Sequence, residues 1–541
     1  MANPSLQIGN SKWAIKEDNE LGYSTAGTRF IPIPITMTRA SAGTRVNAQG
    51  LVETVELLGS EEVTNGDFAT DTDWVKGTGW TISGGSATSD GSGTSFLYQI
   101  ISNVQTKRFL IEYEVKDYVS GSVSIILGSA GSDQLTSSSN GVVSGIVLWD
   151  GTSDRLNFKS VSLIGSIDNV SVKEYTANNL ARVDYDGTAS SLLVEPQRIN
   201  LITYSEAFDN VYWTKSGATV ESGFTSPDGT DNAFKLVEDT STGNHFSSKG
   251  NLFTADGNTR SFSIFVKEGE RRYIFITNVN TINNDINCVV FDTRDGVFTN
   301  TNNPTYILSR NVTALENSWY RIDFTSNTNS GAYDNFFVGI SSSGTMSGAS
   351  YTGDGTSGLY IWGGQAELGS FPTSYIPTLG STVTRVQETY TKTGISSKIN
   401  SEEGVLFAEV KSNYDSSQSR RITLSDGSTS NRVSLEFDEL TENQIRVFIT
   451  LNGASETLVY DAPDLSIFNK IAIKWKANDF AIWFNGNEVV TETAEPRVPT
   501  GMNQLSFDGG NGANFFYGEV KQLQVFKTAL TDTELATLTT Q

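Results

Sequence analysis

The feature that most constrains this chain is its punctuation. Short apolar runs with period-two alternation recur along nearly the whole length, and Gly, Asn, Asp and Ser cut them apart. SFLYQI (95–100), RSFSIFVKEG (260–269), RYIFITNV (272–279) and QIRVFITLNG (444–453) each turn alternate residues to opposite sides, as strands do. No sustained 3.6-residue period appears before the carboxyl end. A chain written this way is all-β, and its 541 residues, at roughly 100–200 per domain, predict three or four domains. The expected architecture is a series of jelly-roll β-sandwiches with a further sandwich at the carboxyl end.

Turn signals and composition place the boundaries. Residues 1–58 form a lead-in with scattered Trp13, Ile15, Tyr23 and Phe30. The run Ile31-Pro-Ile-Pro-Ile follows, and its prolines fit an edge strand or a docked arm. Residues 59–176 hold about eight short strand-like runs, a sandwich pattern. Residues 177–378 read as a second, larger sandwich, 379–402 as a polar linker and 403–541 as the last sandwich. In that last part Asn485-Gly486 marks a hairpin turn, and Thr531 with Glu534 forms a capping box for one short helix.

Charge excludes some partners. With 38 Lys+Arg against 61 Asp+Glu the net charge is -23, which repels phosphate backbones and anionic lipid, so nucleic acid is not expected to bind. No apolar run approaches the roughly 20 residues of a membrane span, so no membrane insertion is expected. The first residues lack the basic start and apolar core of a secretory signal. A single cysteine, Cys288, excludes an internal disulfide framework, and its NCVVFD context predicts a buried strand thiol.

Two segments carry a resemblance. TMTRASAGTRVNAQGLVETV (36–55) and ARVDYDGTASSLLVEPQRINLITYSE (181–206) together resemble the paired signature of tailed-bacteriophage virion proteins, which are fibre, tail or head-decoration components. About 120 residues separate them here, as though a domain were inserted in a loop. The resemblance implies a virion surface protein assembled in the host cytoplasm. It further implies a homotrimer joined to other virion proteins through an amino-terminal arm, displaying sandwiches that hold cell-surface or environmental glycans.

Two further resemblances concern single domains. VTNGDF (63–68) and SIDNVSV (166–172) bracket the first sandwich as they do in jelly-roll carbohydrate-binding modules. In that family the first and last strands lie together and oxygen ligands can hold a structural calcium. Carried over, Asp67 and Asp168 would be metal ligands; as bare residues they equally cap turns. IAIKWKANDFAIWFNGNEV (471–489) and EVKQLQVFKTALTDTEL (519–535) resemble the concanavalin-like lectin/laminin-G sandwich.

Catalytic chemistry finds little support. The one histidine, His245, has no cysteine or second histidine beside it for a zinc site, and no GxSxG elbow accompanies any serine. The nearest approach to a glucanase carboxylate run is SLEFDELTE, with Glu436, Asp438 and Glu442 at the wrong spacing. The chain is therefore expected not to be an enzyme, a polysaccharide depolymerase and a ligand-free spacer being the alternatives. Sugars stack their C–H faces on exposed aromatic rings, which makes Trp74, Trp80, Tyr212 and Trp213, all near turns, the candidate ligand-binding residues. Core packing or subunit contact is the other reading of each. Trp362 and Trp483 alternate with apolar neighbours and are expected in cores.

Overall fold

The computed structural model describes residues 3–10, 12–15, 21–24, 30–32, 35–102, 104, 106–127, 133–149, 153–253, 258–280, 286–302, 306–327, 334–412 and 418–540. Ile33 and Pro34 of the proline-bearing run lie outside them. The described residues are almost entirely antiparallel strand, so the all-β, multi-domain sandwich class holds. The chain divides into two compact units, residues 56–177 and residues 1–55 with 178–541.

The smaller unit is organised by two long strands, Arg108–Leu127 and Arg155–Thr176, paired antiparallel along most of their length. At about 3.3 Å per residue such strands are too long for one flat sheet, and they bend. Register shifts fall between Glu112 and Glu114 and around Ser120, where Gly121 takes φ +82. A side chain at Gly121 would also meet the Ser162 carbonyl. A glycine inside a strand pattern can mark a turn, but here it marks a bulge that re-aims a continuous strand. The long strands carry Trp80–Ser83, Ser86–Asp90 and Thr94–Ile100 on one side and Gly141–Leu148 on the other. The opening strand Leu57–Glu61 pairs with the closing end, and Val170 N donates to Gly66 O at 2.9 Å, so the two bracketing motifs do lie together.

The larger unit contains a second sandwich of a seven-stranded and a six-stranded sheet, closed over Phe262 stacked with Phe324 and Phe336. Its final sandwich recruits strands from far upstream. Leu6–Gly9 and the hairpin Arg182–Asp186/Ala189–Val194 join Gly518–Phe526 in one sheet, and Thr36–Thr38 joins Thr389–Lys392 in the other. The segment 379–402, expected as a linker, thus supplies strands Val383–Arg385 and Thr389–Lys392. The amino-terminal lead-in likewise has described strands built into a neighbouring domain. Polar composition signalled a linker, but here it reflects strands whose outward face is wet. The Asn485-Gly486 turn and the Thr531/Glu534 capping box form as expected. Trp362 and Trp483 are both buried.

Candidate functional site

The two signature segments of the larger unit meet in its interior. Arg39 from the first segment, Arg182 and Glu195 from the second, and Arg385 and Glu388 from beyond the second sandwich are all buried. Glu388 accepts from Arg39 at 2.5 Å and from Arg182 Nε and Nη2 at 2.7 and 2.6 Å. Glu195 takes Arg182 at 2.7 Å, Arg385 at 3.0 Å, and both the backbone N–H and the hydroxyl of Ser374 at 2.7 Å. Burial works against the charge on Glu195, but Arg385 and Arg182 overturn it and hold the carboxyl at about 2. Burial also opposes Glu388, which Arg182 and Arg39 nevertheless keep below the usual carboxylate range. Every carboxylate here is saturated, so the cluster joins amino-terminal segment, hairpin and second sandwich and has nothing left for a substrate.

Three of the predicted ligand-binding aromatics, Trp74, Trp80 and Trp213, belong to cores, and the expectation is corrected for them. Trp74 and Trp80 are 6% and 4% exposed and pack with Phe68 and Phe158; Trp74 Nε1 donates to Asn65 O at 3.0 Å. Trp213 is 2% exposed, stacks on Phe208 and donates to Tyr204 O. Tyr212 is half-buried, with Lys249 Nζ 4.4 Å above its ring and Tyr204 beside it. Large rings near turns fold back into the core because burying them outweighs exposing them.

The calcium ligands do not assemble either. Asp168 Oδ2 accepts from Lys116 Nζ at 2.7 Å and its Oδ1 from Asn169 N, while Asp67 is exposed with only Ala69 N at 3.3 Å. An ammonium stands where a cation would, calcium needs about six to eight oxygens, and no cluster of three acidic or histidine ligands occurs among the described residues. The site does not fit the ion.

His245 is buried with Nδ1 against Gly217 O at 2.5 Å and Nε2 against Tyr351 O at 3.1 Å, a structural role. Glu436 and Asp438 are buried and held by Arg421 and Arg446, Arg446 lying 2.6 Å from Glu436. Cys288 is buried, and burial pushes its thiol up to about 12.

What the smaller unit does present is an open aromatic row. On Thr94–Ile100, Ser95, Leu97 and Gln99 point inward, leaving Phe96, Tyr98 and Ile100 on the outer face. Phe96 is 40% and Ile100 57% exposed, and Val75, paired with Tyr98, is 51% exposed. The facing strand sets Lys159, Asn157 and Arg155 directly opposite these three. Arg155 lies 4.5 Å from the Tyr98 ring centroid, and Lys159 is anchored by Asp133 at 2.9 Å. The result is a strip of two rings and Ile100, edged by Arg155 and Lys159; Asn157 is buried and its Nδ2 donates to Ile126 O at 3.0 Å. Alternation in SFLYQI puts Phe96, Tyr98 and Ile100 on the more apolar side, which reads as the side facing the core.

With the geometry in place, comparison with known proteins adds one domain. Residues 397–536 match the concanavalin A-like lectin/glucanases superfamily. That agrees with the expected carboxyl-terminal sandwich. No curated protein matches the chain. Among solved structures, the carbohydrate-binding module CBM40 of Ruminococcus gnavus IT-sialidase bound to α2,3-sialyllactose superposes at 19% identity and TM-score 0.23, covering 26% of this chain and 84% of that one. The CBM22 tandem of Paenibacillus barcinonensis Xyn10C gives 12% identity and TM-score 0.23 over 57% and 98%. Trypanosoma rangeli sialidase with sialic acid gives 10% and 0.23 over 98% and 97%. Superpositions at these scores do not establish a common fold, and what those proteins bind is a fact about them. No described helix is long and apolar enough to cross a membrane.

Proposed function

We propose that this chain is a non-catalytic glycan-binding protein of a virion surface, displayed as a homotrimer beside other virion proteins. The observation that carries the binding role is the open row Phe96–Tyr98–Ile100 facing Arg155, Asn157 and Lys159. Sugar C–H faces stack on rings, and guanidinium and ammonium groups bond hydroxyls. A solvent-facing row of this kind is otherwise a cost to a folded chain. The concanavalin-like match and the bacteriophage-type signature support the same reading. Against hydrolysis stands the state of the carboxylates: Glu195, Glu388, Glu436 and Asp438 are each held by arginine. A glycan array probed with the full chain tests the proposal, together with antibody labelling of particles. Selective retention of a sugar class and labelled particle surfaces are expected; an array without preference overturns the binding role, and unlabelled particles the virion role.

A further inference from the structure

Within the larger unit a cavity of about 310 Å³ lies between the six-stranded sheet of the second sandwich and the carboxyl-terminal sandwich. Its floor is the outer face of strand Tyr320–Asn327 and its edge neighbour Ile307–Ala314, where Arg321 and Asp323 stand opposite Thr313 and Asn311. Leu193 and Val194 of the signature hairpin, with Lys411 and Glu519, line the other side. An adjoining cleft of about 610 Å³ shares Val46, Asp184, Thr313, Leu315, Lys411 and Glu519 with it.

Two buried polar groups on that floor are incompletely satisfied. Asp323 is 5% exposed; its Oδ1 accepts from Asn311 Nδ2 at 3.1 Å, and its Oδ2 has no donor among the described residues. Arg321 donates through Nη2 to Ser263 Oγ at 2.9 Å and Thr373 O at 2.6 Å, while its buried Nε–H finds no acceptor there. Buried donors are nearly always met, so the unmet Arg321 Nε–H calls for an acceptor, and the Asp323 carboxyl two residues on stands on the same strand face. Burial holds the Asp323 carboxyl up at about 7 against the opposing pull of the Arg321 guanidinium.

We propose that this cavity binds a neutral sugar, one hydroxyl accepting from Arg321 Nε–H and another donating to Asp323 Oδ2. The size falls in the range of small-molecule sites, about 300–1,000 Å³. Phe265, Phe371 and Tyr375 supply apolar surface for the ring. Neutrality follows from the charges. Lys411 is taken by Glu519 at 2.7 Å, Arg45 by Glu53 at 2.7 Å, and Arg321 lies in the field of Asp323, so each cation lining the cavity already has a carboxyl beside it. The inference rests on the reading that the chain binds sugars, but it uses residues remote in sequence from the aromatic row and belonging to the other unit.

The test is isothermal titration at pH 8, where the Asp323 carboxyl is ionised, of the full chain carrying Tyr98→Ala, which disables the row, against glucose, galactose, mannose and N-acetylglucosamine, with sialic acid as the anionic control. Binding of at least one neutral sugar and none of sialic acid is expected. Thr313→Trp, which fills the cavity, should weaken it at least about tenfold. If Thr313→Trp does not fold, Asp323→Asn serves. It keeps the shape and the Asn311 bond, and replaces the free acceptor with a donor, for the same expected loss. Neutral-sugar binding that vanishes with Tyr98→Ala alone, or that survives Thr313→Trp and Asp323→Asn, overturns the cavity site and leaves the row standing. No binding by either the wild-type or the variant chain overturns both.

Discussion

Glu388→Gln removes one charge at the centre of the buried cluster while keeping the side chain's shape. Four donors converge on this carboxylate: Arg39 Nη1 at 2.5 Å, Arg182 Nε and Nη2 at 2.7 and 2.6 Å, and Glu195 N at 2.9 Å. An amide can accept at one end only, so its NH2 would face a guanidinium, and Arg39, Arg182 and Arg385 would be left buried with Glu195 as sole counter-ion. Uncompensated buried charge costs about 3–5 kcal/mol. Urea unfolding of the full chain, followed by tryptophan fluorescence, should show the transition of the larger unit move down by that amount while the transition of residues 56–177 stays in place. The exposed pair Lys107–Glu174 provides the control, since Lys107→Ala should change stability by no more than about 1 kcal/mol. A loss below about 1 kcal/mol for Glu388→Gln would refute the view that these charges weld the unit together.

Excising residues 56–177 and joining Val55 to Asn178 should leave the larger unit's melting unchanged. Val55 N is bonded to Gly43 O and Asn179 N to Arg39 O, so both ends are tied to one stretch; disappearance of the remaining transition in calorimetry would contradict this. Stability should also fall as pH rises from about 4 to 7 through Asp323, which burial keeps protonated when the unfolded chain, at 3.8, has already ionised. At about 1.4 kcal/mol per pH unit the ceiling is about 4 kcal/mol, and Asp323→Asn should flatten that slope; parallel pH profiles would refute it. Glu195 acts in the opposite sense, its contribution being lost as pH falls from 4.5 toward about 2.

Local rules carried much of the fold. The Asn485-Gly486 hairpin and the Thr531/Glu534 cap are decided by neighbours in sequence, and both form as written. The bracketing motifs of the smaller unit also meet. What escaped was non-local. Arg39 and Glu388 are 349 positions apart, and no periodicity reveals that they pair or that Leu6–Gly9 completes a sheet with Gly518–Phe526. The site escaped for a different reason. In SFLYQI alternation alone points Phe96, Tyr98 and Ile100 inward and Ser95 and Gln99 outward, and only tertiary packing reverses that. Trp74 and Trp80 sit beside turns, where exposure is the usual expectation, yet Phe68 and Phe158 draw them inward.

The central claim is that the outer row of the smaller unit holds sugar. It is tested most directly by titrating the full chain, as wild type and as Phe96→Ala/Tyr98→Ala, with the glycan it retains best on an array. Phe96 is exposed and Tyr98 half-buried under Arg155, so the variant should stay folded and melt within about 5 °C of wild type. Its affinity for that glycan should fall at least about tenfold, the equivalent of about 1.4 kcal/mol. Equal affinity in the two proteins, with both folded, would contradict the account.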